Sequence, residues 1–182
     1  MDRFFEFVSK VIDDCDSLLN DKDYENRKDI VRAVLFSIIS LLSASYCSGR
    51  TRKNNCFNNK KEFVAFLNKF WISTEKSQTR NLDVDGESLN FRSPELLWEI
   101  RNLSAHQFRD AGMAFPTEND EQVIVSCPVE HNGVTRNEVE VNPYVLSKAL
   151  RCMSVLYKAF CKANNIDPKA NLPYKSIYVK EI

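Results

Sequence analysis

Histidine is scarce in this chain: His106 and His131 are the only two among 182 residues. Cys127 and His131 stand at a metal-like separation, but two ligands do not complete a zinc site, and the other cysteines are scattered. No metal and no cofactor is therefore expected. Glycine is nearly as sparse, with four in all. The sequence holds no glycine-rich phosphate loop, no paired metal-binding carboxylate motif and no serine nucleophile elbow, which argues against kinases, metallonucleases and hydrolases. An excess of one charge is also missing. Lys plus Arg equals Asp plus Glu at 25 each, so no global field draws in nucleic acid or an anionic membrane. A polyanion would have to be recognised by a local patch.

What is present is enough for a folded core. A chain of 182 residues fits one domain and can bury roughly 70% of its unfolded surface. Cys15, Cys47, Cys56, Cys127, Cys152 and Cys161 make an even count that would allow three disulfides. Four of them sit in helix-like apolar segments, and Met1-Asp2-Arg3 opens no secretory pattern. Reduced thiols in a cytoplasmic protein are the expectation. Residues 33–49 are uncharged, but they fall short of the ~20 apolar residues a spanning helix needs, and five serines dilute them. This segment reads as a central core helix, and no membrane partner is expected.

Along the chain, Phe4, Phe5, Val8, Val11, Ile12, Cys15, Leu18 and Leu19 recur at helical spacing and predict a first helix over 2–19. A second helix over about 23–46 is apolar nearly all round after Arg32, and Gly49 stops it. Residues 49–61 form a polar loop. A third helix over 60–71 buries Phe63, Phe66, Leu67 and Phe70. Residues 73–92 read as a long exposed connection. Ser93 as cap and Pro94 at the first position start a fourth helix, reaching about residue 108. Segments 122–129 and 134–141 look extended, and Glu130-His131-Asn132-Gly133 is a hairpin turn signal. Asn142 and Pro143 open a last helix, ending near 164–165, that buries Val145, Leu146, Ala149, Leu150, Met153, Leu156, Tyr157 and Phe160. The expected fold is mainly α: an up-and-down bundle of about five helices over 1–166, with a β-hairpin inserted at about 120–142. A surface or mobile tail, 167–182, follows.

The fourth helix carries the chemistry. Arg101-Asn102-Leu103-Ser104-Ala105-His106 gathers a permanent cation, a carboxamide and an imidazole within about two turns. Glu95, Glu99, Asn102 and His106 fall within about 60° of one another and form a polar stripe, beside apolar Trp98 and Ala105. Leu96, Ile100 and Leu103 lie on another side and can face the core. Arg101 sits about 140° from His106, so its side chain must curl round, the helix must end early, or a second subunit must share the site.

The Arg-Asn-x-x-x-His arrangement, late on an apolar helix in a small helical protein, resembles the HEPN superfamily. Many of its members are metal-independent RNA endonucleases that act as dimers. The resemblance implies His106 as acid or base, Arg101 as clamp on the phosphate and transition state, and Asn102 as positioner. It also implies a homodimer, RNA as substrate, and a toxin or phage-defence role with an antitoxin or regulatory protein as a possible partner. The chemistry agrees. Cleavage without a metal needs a base for the 2′-OH, an acid for the leaving 5′-oxygen and cations near the phosphorane; imidazole and guanidinium supply these. The chain departs from one branch of the family, whose toxins carry a modifiable Tyr two residues after the His; Phe108 stands there.

Arg50, Arg52 and Lys53, with Lys60 and Lys61, form the one sizeable basic patch, and Phe57 could stack on a base. Arg50, Arg52 and Lys53 are the candidate RNA guide; the alternative is a solvated loop. Two further readings stay open. One is a non-catalytic HEPN-like dimerisation module that binds RNA, a nucleotide or a protein partner. The other is a plain helical scaffold in which the stripe is solvated and Arg101 pairs with Glu99 or Glu95.

Overall fold

The computed structural model describes residues 1–22, 27–47, 59–71, 81–84, 87–90, 93–106, 122–170 and 172. Among these, residues 59, 81–84, 87–90, 103–106, 126–129, 131 and 136–138 are described by backbone alone. The elements in order are α1 (Asp2–Asn20), α2 (Arg27–Tyr46), α3 (Asn59–Phe70), β1 (Asn81–Val84), β2 (Glu87–Asn90), α4 (Pro94–His106), β3 (Ile124–His131), β4 (Val134–Val141) and α5 (Pro143–Ala163). The protein is mainly helical, with an antiparallel hairpin placed before the last helix.

Helix α2, uncharged after Arg32, is the hub. It packs on α1, α3, α4 and α5. By length and composition alone it could cross a membrane. Its neighbours instead cover Val31, Leu35, Phe36, Ile38, Ile39 and Leu42. Its serines do not interrupt this packing, because their hydroxyls bond back onto the helix. Ser40 donates to Phe36 O at 2.9 Å and Ser43 to Ile39 O at 2.6 Å. The Ser45 and Tyr157 hydroxyls share a hydrogen bond of 3.0 Å, joining α2 to α5 inside a cage of Phe5, Tyr46, Phe66 and Phe70.

Polar contacts then fix the helices in register. Arg151 on α5 reaches Asp13 and Asp16 on α1, each at 2.8 Å, and Ser147 also donates to Asp16. Leu156, expected in the core, is 40% exposed. It lies at the edge of an apolar arc on α5 that is wider than α1 and α2 can cover. Cys15, Cys152 and Cys161 are free thiols, Cys15 and Cys161 buried and Cys152 exposed.

The hairpin β3–β4 turns at Asn132 and Gly133, whose φ values of 52° and 77° are those of a type I′ turn. Its base joins the core: Val123, Ile124 and Val141 are buried, and Asn142 N donates to Val123 O at 2.8 Å. Asn142 then caps α5, accepting from Tyr144 N and Val145 N, with Pro143 at the first helical position. Glu140 on β4 is buried 3.6 Å from Arg32 on α2. Beyond α5, Ile166 and Leu172 pack against the core and Pro168 is buried. The segment expected as an exposed connection contains a second, smaller hairpin, β1–β2, in which Leu82 pairs with Leu89.

Candidate functional site

Helix α4 starts where the sequence places its cap. Ser93 Oγ accepts from Leu96 N at 3.3 Å, while Pro94 occupies the first turn. The side that enters the core is centred on Leu97, with Ile100 and Trp98, and Leu96 is half-buried. This corrects the sequence expectation in two respects. Leu97 rather than Leu96 leads the packed face. Trp98 is only 8% exposed, its ring edge-on to Phe63 of α3 with centroids 5.2 Å apart. Trp98 therefore belongs to the core and offers no free seam beside the stripe.

Arg101 leaves the helix from this packed side. Its guanidinium carbon lies 4.7 Å from the centre of the Trp98 ring, and Nη1 donates to Asn102 Oδ1 at 3.1 Å. The side chain lies over the indole and meets the polar stripe at Asn102. Both residues are half-buried. The acids of the stripe are engaged elsewhere. Glu99 is bound by Lys60 of α3 at 2.6 Å, and Glu95 accepts from Ser93 Oγ at 2.8 Å.

His106 is the last residue of α4, one turn beyond Asn102, and its side chain lies outside the described residues, as does Phe108. Arg50, Arg52, Lys53 and Phe57 also lie outside them. Lys60 and Lys61, which end the basic segment, are exposed on the first turn of α3. The Lys60–Glu99 pair therefore sets the end of that segment against the helix that carries the motif. Cys127 and His131 lie on β3, with side chains outside the described residues. Among the described residues no group of three or more His, Cys, Asp or Glu could hold a metal ion.

Sequence reasoning missed Trp98 as the platform for Arg101. The signal was available: the two stand three residues apart, and such positions are neighbours on a helix surface. No family model, curated protein or solved structure matches the chain.

Proposed function

We propose that the protein is a HEPN-type RNA endonuclease that works without a metal, as a cytoplasmic homodimer. The observation that carries this reading is the Arg101–Asn102 contact: a guanidinium steadied on an indole and tied to a carboxamide, on the helix that ends at His106. A guanidinium held in this way has remaining N–H donors to offer two phosphate oxygens at once. Asn102 can orient an imidazole or donate to the phosphate. His106 takes a proton from the 2′-OH or gives one to the departing 5′-oxygen, and a second copy supplies the complementary partner. Arg50, Arg52 and Lys53 guide the RNA backbone, a role supported by the placement of Lys60 beside α4. A toxin or phage-defence role, under the control of an antitoxin or regulatory protein, completes the proposal.

The test is incubation of mixed cellular RNA with the protein in chelator, comparing wild type with His106→Ala. Cleavage is expected to leave a 2′,3′-cyclic phosphate and a 5′-OH, and His106→Ala to slow it by on the order of 10²–10⁴. Loss of activity in chelator, or full activity of His106→Ala, overturns the mechanism. The half-burial of Arg101 against Trp98 also favours a second reading, a non-catalytic module that binds RNA, a nucleotide or a protein. Inactivity of the wild type towards many RNAs would select it.

A further inference from the structure

Helices α1 and α2 share an outward face that is apolar and holds both a projection and a hole. The projection is Phe7, 55% exposed. The hole is a groove of about 150 Å³ between the helices, lined by Val11, Cys15, Leu18, Ile30 and Val34, with the exposed Asp14 at its edge. Ile30 is 39% exposed beside it. From Ala33 to Cys47, α2 adds no charged side chain to this face.

Size names the kind of occupant. An apolar cavity of roughly 150 Å³ holds one benzene ring. Phe7 is such a ring on the same face, but its own groove is centred about 11 Å further along α1, at 1.5 Å per residue. A two-fold axis crossing α1 near the height of Val11 removes that distance. It lays two α1 helices antiparallel and sets each Phe7 opposite Cys15 of the other copy, the reciprocal contact of an isologous interface.

The border charges obey the same axis. Lys10 and Asp14 are exposed on one edge of α1, on either side of it, with Arg3 further out on the helix and Asp21 exposed just past its end. Antiparallel pairing therefore brings each base towards an acid of the partner. A lipid surface would call for a border rich in bases alone.

We propose that this face joins two copies of the chain, antiparallel along α1, with each Phe7 ring seated in the other's groove. The proposal deepens the homodimer part of the reading above and rests on that part alone, not on the chemistry of the motif.

The test is sedimentation equilibrium of the full chain, wild type against Phe7→Asp, with circular dichroism to confirm equal helix content. The wild type is expected to be a dimer at micromolar concentration, and Phe7→Asp to weaken it at least about tenfold. Val11→Cys, near the axis, in a Cys152→Ser background should form 11–11 bridged dimers on mild oxidation, mapped by mass spectrometry. A wild type that stays monomeric overturns both the seam and the paired site. A Phe7→Asp protein as dimeric as wild type, or without the 11–11 bridge in the Val11→Cys protein, overturns the seam and leaves the nuclease reading to its own RNA assay. Binding to phosphatidylcholine–phosphatidylglycerol vesicles that Phe7→Asp abolishes without changing the mass also overturns it, in favour of a lipid-facing surface.

Discussion

The Arg101 guanidinium spans from the face of Trp98, 4.7 Å away, to the carboxamide of Asn102 at 3.1 Å. The planar group uses both properties that separate it from an ammonium, a flat face and a fork of donors. Arg101→Ala is expected to lower RNA cleavage by on the order of 10²–10³, and Arg101→Lys to restore only part of it. Single-turnover assays read the loss. Acrylamide quenching of tryptophan emission should rise in Arg101→Ala, because the exposed side of the Trp98 ring loses its cover.

Replacing Arg50, Arg52 and Lys53 together by Gln should weaken RNA binding. If all three contact phosphates, the slope of log affinity against log salt becomes shallower by roughly 2, the single-strand value for three released counterions. Filter binding between low and physiological salt measures it. An unchanged slope would return these residues to a solvated loop.

Burial pushes the Cys15 thiol up to about 11, with Asp16 and Asp14 adding to the effect. The unfolded thiol ionises near 9.0, while the folded one keeps its proton. The contribution is therefore fully present below pH 9 and falls as pH rises from 9 towards 11, by on the order of 3 kcal/mol in all. Urea unfolding at pH 8 and pH 10.5 should show a larger loss for wild type than for Cys15→Ala.

Gly133→Ala is expected to destabilise the protein by about 1–2 kcal/mol. A Cβ there meets nothing within 4 Å, so the cost arises from the backbone, held at φ +77°. Gly133→Asn should cost less, because Asn tolerates that region. Chemical denaturation of the two variants provides the comparison.

The readable parts of the fold were those set by local chemistry. The α1 stripe, the caps at Ser93 and Asn142 and the Asn132-Gly133 turn all depend on residues close together in sequence, and each stands as expected. The face of α4 was less legible because it is chosen across space. Phe63 arrives from α3 and draws Trp98 inward, a decision that the periodicity of α4 alone does not contain. The hairpin β1–β2 is faint in the sequence because each strand has four residues, with few apolar positions to alternate; the turn dipeptide Asp85-Gly86 between them is the signal that marks it. At the site, the 140° offset of Arg101 from His106 followed from helix geometry. The route over Trp98 did not, since it depends on a rotamer that packing selects.

The place of α2 in the chain has a consequence for synthesis. α5, which closes one side of this hub through Tyr157, leaves the ribosome about 100 residues after it. At ribosomal speeds of 5–20 residues per second, α2 waits roughly 5–20 s for that cover. Until then α1, α3 and α4 are its shelter, and a ribosome-stalled fragment ending before α5 should engage holding chaperones that the finished chain does not.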